Sequence, residues 1–163
     1  MAEPVVEIEG ICFCRKERQI LTEVTWTIES GVHWALLGPN GSGKTTFLRT
    51  IVGDIEPLAG QLRLGASVRI GYLPQRQDWL DASKTALEQL LDLSELQAEQ
   101  ARALLGRFLF SGDEVFKKTG NLSGGERSRL ALAILTVRGA NFLLLDEPTT
   151  YLDLASHEII QEV

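Results

Sequence analysis

The chain has 163 residues, 44% of them hydrophobic, with 22 acidic against 16 basic side chains and a net charge of −6. That suffices for one substantial core, so a single domain spanning residues 1–163 is expected. The negative balance excludes an overall basic footprint for nucleic acid, so any RNA contact is local or made elsewhere. No apolar run reaches the roughly 18 to 20 residues of a membrane span, and MAEPVVEIEG lacks the basic and apolar regions of a signal peptide. A cytoplasmic location without direct membrane insertion is the expectation.

Residues Val5 to Phe13 and Glu23 to Ile28 read as strands joined by the charged turn Arg15 to Arg18, an antiparallel approach to the centre of the chain. The cysteines, Cys12 and Cys14, alternate with Ile11 and Phe13 as strand neighbours do, and no second Cys/His pair completes a metal site. After the turn Glu29-Ser30-Gly31, the apolar run Trp34 to Leu37 predicts a buried strand leading into Gly38, Pro39, Asn40, Gly41, Ser42, Gly43, Lys44, Thr45 and Thr46. This stretch fits the G-x-x-x-x-G-K-[ST] phosphate loop at every defined position. Gly38, Gly41 and Gly43 let successive N–H groups turn inward on a polyphosphate. Lys44 supplies charge for the outer phosphates, Thr45 a hydroxyl for Mg²⁺, and the helix through Phe47, Leu48, Ile51 and Val52 aims its positive end at the same anion. A Gly/Ser surface loop that happens to hold a lysine is the competing reading, and the order strand, loop, helix argues against it.

Gly53 closes that helix, and Gln61 to Leu64 and Val68 to Tyr72 offer two short strands before Gln75. Between Asp78 and Lys118 the pattern becomes helical. Ser94 with Gln97 and Ser111 with Glu114 have capping-box spacing, and Ala98, Ala101, Leu104, Leu105 and Phe108 recur at helical intervals. Asp78, Asp81, Asp113 and Glu114 read as solvated or capping acids. In NLSGGERSRLALAILTV, Ser123 and Glu126 form another capping box before the stripe Leu130, Ala133, Ile134 and Val137. The pair Gly124-Gly125 costs about 1 kcal/mol per glycine against alanine in a helix, which close backbone approach to a ligand explains. Finally, Phe142 to Leu145 reads as a strand ending at Asp146 and Glu147, a placement that suits Mg²⁺ and a water, although an ordinary turn ends the same way.

Together, the phosphate loop, Gln75 after GYLP, LSGGE at Leu122 to Glu126, LLLDEPT at Leu143 to Thr149 and Leu152-Asp153 resemble an ATP-binding cassette ATPase over nearly the whole chain. The phrases GASVRIGYLPQ, RFLFSGDEVFKKTGNLSGGERSRLALA and LLLDEPTTYLD resemble family F, soluble proteins with two cassettes on one chain that act on ribosomes, and the wording is closer to the second cassette. The resemblance implies an α/β phosphate-loop NTPase with an antiparallel β subdomain and a small helical subdomain near residues 78–118. By the same resemblance, Lys44 and the loop amides hold ATP, Thr45 and Asp146 serve Mg²⁺, Gln75 senses the γ-phosphate and metal, and Glu147 polarises the attacking water. Ser123, Gly124 and Gly125 would close on the nucleotide of an opposing cassette, with Asp153 at that seam. Arg15 stands where the family carries an aromatic on adenine, with Phe13 two residues earlier; a guanidinium plane can stack there.

Departures from the family set further expectations. Thr150 and Tyr151 replace its usual Asn-His in DEPTNHLD. After Leu152-Asp153 the family continues to a strand ending in a switch histidine, whereas this sequence ends at Val163; His157 precedes that strand and is no substitute. The expectation is a cassette incomplete at its C-terminus, with the final strand or strands of its core missing. The resulting reading is ATP binding and Mg²⁺-dependent hydrolysis by a cassette that pairs head to tail with another, in a protein acting on the ribosome. The alternatives are the ATPase subunit of a transporter, or a module that binds ATP without hydrolysing it.

Overall fold

The computed structural model describes residues 4–15 and 17–147. These fall into two compact units, one ending at Ile70 and the other beginning at Gly71.

The first unit is built on an antiparallel sheet of order β2-β1-β3, with β1 at Pro4–Arg15, β2 at Arg18–Glu29 and β3 at Ala59–Leu64. Strand β1 buries Val6 and Ile8, then changes phase to bury Ile11. A strict period of two would turn Ile11 to the other face, and a register shift between Ile8 and Ile11 restores it. Gly10, at φ 61°, makes this irregularity, and its N–H leaves the ladder to donate to Thr25 Oγ1 at 3.0 Å. Gly60 crosses the same point so closely that a Cβ there would lie 2.5 Å from the Gly10 carbonyl. Helix α1, Lys44–Val52, buries Phe47, Thr50 and Ile51 and ends at Gly53, whose left-handed conformation (φ 87°) lets its N–H reach the last carbonyls.

The expected strand Trp34 to Leu37 does not form. Residues 32–39 belong to no strand or helix, Trp34 is 56% exposed and Leu37 88%. Apolar periodicity specifies which side chains want burial; a strand also needs hydrogen-bonded neighbours, and among the described residues none pairs with this run. Trp34 retains one anchor, an edge-to-face contact with Trp26 at 5.2 Å between ring centres, and Trp26 stacks in turn on Phe47.

The second unit contains β4 (Ile70–Leu73) from Gly71 on, α2 (Ala86–Asp92), α3 (Ala98–Arg107), α4 (Gly124–Val137) and β5 (Phe142–Leu145), with β4 and β5 paired. Short 3₁₀ turns at Gly112–Phe116 and Thr119–Asn121 connect α3 to α4. Its core gathers Leu87 and Leu90 of α2, Ala101 and Leu105 of α3, Phe108, Phe110 and Val115, all packed with α4. Helix α4 is buried at every position from Leu130 to Leu135, so it is the central element of this unit rather than a surface helix.

The helical layer corrects two expectations. Ser94 does not cap α3: its hydroxyl donates back to Leu90 O at 2.7 Å, and the helix starts instead after Gln97, whose N–H donates to Gln100 Oε1 at 3.0 Å. Ala98 is exposed, because it begins the helix at the solvent side, whereas Ala101, Leu105 and Phe108 face the core. The boxes expected at Ser111/Glu114 and Ser123/Glu126 are present, and a further one is formed by Thr85 and Glu88 ahead of α2. Asp81 is a turn residue, accepting from the N–H and hydroxyl of Ser83.

Candidate functional site

In the first unit the loop from Gly38 turns into α1 through glycines that no other residue replaces without strain. Gly43 is the N-cap at φ 97°, and a Cβ there would sit 2.9 Å from Ile20 Cγ2 and 3.3 Å from Ile20 O. Because the cap is a glycine, no side chain bonds the first amides of α1, and its first turn carries no acid. A helix end without a side-chain cap or an acid keeps its positive dipole end uncompensated, which is the electrostatic requirement of an anion site. Lys44 folds back across the loop, with Nζ donating to Gly38 O at 2.7 Å and to Pro39 O at 3.1 Å. Ser42 N–H closes the turn on Pro39 O at 3.2 Å. Thr45 stands exposed at the second position of the helix.

In the second unit, β4 and β5 bring together three of the expected residues. Asp146 follows β5 directly and is held by its own N–H, which donates to Leu73 O at 3.0 Å. Its carboxylate is buried and accepts from Tyr72 Oη at 3.3 Å. Glu147 adopts φ 54°, a backbone conformation uncommon for a residue with a side chain and costing of order 1–3 kcal/mol. Its Oε2 accepts from Gln75 Nε2 at 2.7 Å. The side chains of Gln75, beyond the end of β4, and Glu147, beyond the end of β5, therefore meet directly, although 72 positions separate them.

The turn at Ser123 is built as a reciprocal cap. Ser123 Oγ accepts from the Glu126 N–H at 3.2 Å, and Glu126 Oε2 accepts from the Ser123 N–H at 2.6 Å. Gly124 and Gly125 are the first two residues of α4. Lys117 Nζ donates to both oxygens of Glu126, at 2.9 and 3.2 Å. Burial pushes the Glu126 carboxyl upward, but the Lys117 ammonium and the Ser123 N–H and hydroxyl outweigh it and hold the group down at about 2.

Two contacting residues were not singled out from the sequence. Tyr72 belongs to a short strand whose alternation says nothing about Asp146, and Lys117 sits nine positions from Glu126, outside any local motif. Of the remaining expected residues, Arg15 ends β1, and Phe13 is half-buried and pairs with Leu21. Asp153, with Thr149, Thr150, Tyr151 and His157, lies outside the described residues.

In the second unit Asp146 offers a carboxylate and Gln75 an amide oxygen, and in the first unit Thr45 offers a hydroxyl; each taken by itself is an oxygen donor of the kind Mg²⁺ takes. Among the described residues, no group of three or more His, Cys, Asp or Glu is placed to hold a metal ion by itself. No helix among them is long and apolar enough to cross a membrane.

The family profile described as ABC transporter matches residues 21–150. The chain is 47% identical over 143 residues to the putative ATP-binding protein YdiF of Bacillus subtilis, covering 87% of this chain and 22% of YdiF. It is 38% identical to the energy-dependent translational throttle protein EttA of Escherichia coli, covering 94% of this chain and 29% of EttA. The chain thus spans about a quarter of the length of the curated relatives it matches. In fold it is similar to the ATP-binding cassette MJ0796, solved as a dimer in a post-hydrolysis state bound to ADP and Pi. That likeness has a TM-score of 0.77 at 24% identity, covering 96% of this chain and 80% of MJ0796. With the profile match extending over residues 21–150, the chain belongs to the ATP-binding cassette ATPases.

Proposed function

We propose that this chain binds ATP with Mg²⁺ and contributes one half of a hydrolytic sandwich that closes head to tail on a second cassette. The observation that carries the reading is the N-terminus of α1, a helix end with a glycine cap, no acid and Lys44 beside it. Lys44 exchanges its two loop carbonyls for phosphate oxygens, and the amides from Gly41 to Thr46 wrap the anion. Thr45, Asp146 and Gln75 hold Mg²⁺, which neutralises charge building on the phosphates when bound. Glu147 exchanges its bond with Gln75 for the attacking water, orients that water and accepts its proton. Ser123, with the amides of Gly124 and Gly125, is offered to the nucleotide of the opposing cassette, and Asp153 to the seam between them. Arg15 stacks on adenine.

The parent protein acts on the ribosome in translation as a family F protein, most similar in wording to a second cassette. The likeness to EttA, whose name describes a translational throttle, supports this, and the absence of a basic footprint leaves RNA contacts to other segments. A transporter ATPase subunit is the competing reading, and co-purification with a membrane-embedded subunit instead of ribosomes would favour it. The direct test is phosphate release by the full-length protein against its Glu147→Gln variant. Loss of about 100-fold or more in turnover with ATP binding retained is expected; a variant that hydrolyses ATP at the parent rate contradicts the role of Glu147.

A further inference from the structure

A carboxylate at the cap of α4 poses an electrostatic problem. Glu126 stabilises the turn that carries Ser123, Gly124 and Gly125 by accepting the Ser123 N–H, yet a negative charge in the first turn repels any anion brought to that helix end. The same charge is felt by Glu114 nearby. The ammonium of Lys117 meets both carboxylate oxygens, and it comes from a fixed platform. Lys117 O accepts from the Ala86 N–H at 3.2 Å, the Thr119 N–H donates to Lys84 O at 2.8 Å, and Thr85 and Lys118 form an antiparallel bridge. The pair is sheltered on the acid's side: the Glu126 side chain is 17% exposed.

We propose that Lys117 is a positioning residue for the opposing nucleotide: by neutralising Glu126 it lets the α4 end keep its carboxylate cap and still receive a triphosphate at Ser123. This rests on the reading that Ser123 closes on the ATP of a second cassette. Lys117 touches neither the nucleotide nor the reacting atoms; it acts through the charge and orientation of Glu126. Glutamine at the Glu126 position serves the same capping box without charge, so the pair can be dissected.

The experiment uses full-length protein carrying Glu147→Gln, with closure followed as the ATP-dependent change in sedimentation coefficient. Lys117→Met is expected to raise the half-saturating ATP concentration about tenfold, and Lys117→Met with Glu126→Gln to return it to within about twofold of the parent. A double variant as impaired as Lys117→Met overturns the proposal in favour of a packing role, and so does an unimpaired Lys117→Met. A parent protein that shows no ATP-dependent closure refutes the sandwich reading, and this role with it. In nucleotide-free protein, NMR titration of the Glu126 carboxyl gives an independent readout. It is expected near 2 in the parent and in the ordinary carboxylate range in Lys117→Met; an ordinary value in the parent removes the ion pair on which the proposal stands.

Discussion

The two helix ends that carry the most chemistry, those of α1 and α4, solve the problem of the orphan amides in opposite ways. Helix α1 has a glycine cap, no side chain on its first amides, and Thr46 at the third position where capping boxes place an acid or amide. Helix α4 has the full box, Ser123 with Glu126, and a lysine on top of the acid. Helices α2 and α3, to which no ligand is assigned, have side chains on the amides at their starts: Thr85 and Glu88 form a reciprocal box ahead of α2, and Gln100 Oε1 accepts the Gln97 N–H ahead of α3. Capping is therefore the rule in this chain. The end of α1 forgoes it, about 1 kcal/mol of local stability by general experience, and keeps its amides for an anion.

The contrast can be broken by giving α1 what α4 has. Thr46→Glu places an acid at the third position of α1. It is expected to lower ATP affinity about 30-fold or more through like-charge repulsion, while leaving the melting temperature unchanged or raised. Equilibrium ATP binding beside a thermal melt checks both halves. Unchanged affinity would mean that phosphates do not approach this helix end.

A smaller effect is expected from depriving α4 of its cap. Ser123→Ala removes the acceptor of the Glu126 N–H and should cost about 1 kcal/mol in denaturant unfolding. It should also weaken ATP-dependent closure, whereas ATP binding to the open protein stays as in the parent.

The smallest effect concerns pH. The Glu126 carboxyl is held at about 2 in the folded chain against an ordinary 4.5, so it binds protons more readily when unfolded. Its contribution to stability is therefore complete above about 4.5 and disappears as pH falls from there to about 2. Melts of the parent and Glu126→Gln across that window should differ by a constant amount above it and converge below. A difference independent of pH contradicts the ion pair.

The legible parts of this molecule are those whose chemistry is local. The phosphate loop is a contiguous run with defined spacing, the boxes at Ser111 and Ser123 span four residues each, and Phe142 to Leu145 is a continuous apolar strand. The box at Thr85 had the same local signal, Thr and Glu three apart, but lay in a stretch without strong apolar periodicity. Contacts between distant segments leave no trace in local spacing: the resemblance assigns Gln75, Asp146 and Glu147 to one nucleotide site, but neither the Tyr72–Asp146 nor the Gln75–Glu147 bond follows from spacing, since strand pairing decides them. Nor does sequence period reveal whether a strand finds neighbours. Trp34 to Leu37 has the composition of a buried strand and is exposed, because burial there depends on a sheet that no described strand completes around it.

The most direct test of the central claim, that the uncapped end of α1 with Lys44 holds a triphosphate, is calorimetric titration of Mg²⁺-ATP into the full-length protein and its Lys44→Ala variant. To keep the measurement on this loop, any second phosphate loop carries its own inactivating substitution. The account predicts saturable binding by the parent and a loss of affinity of about 100-fold or more in Lys44→Ala, since the ammonium that now rests on Gly38 O and Pro39 O is the loop's one cation. Equal affinity in the two proteins would contradict it.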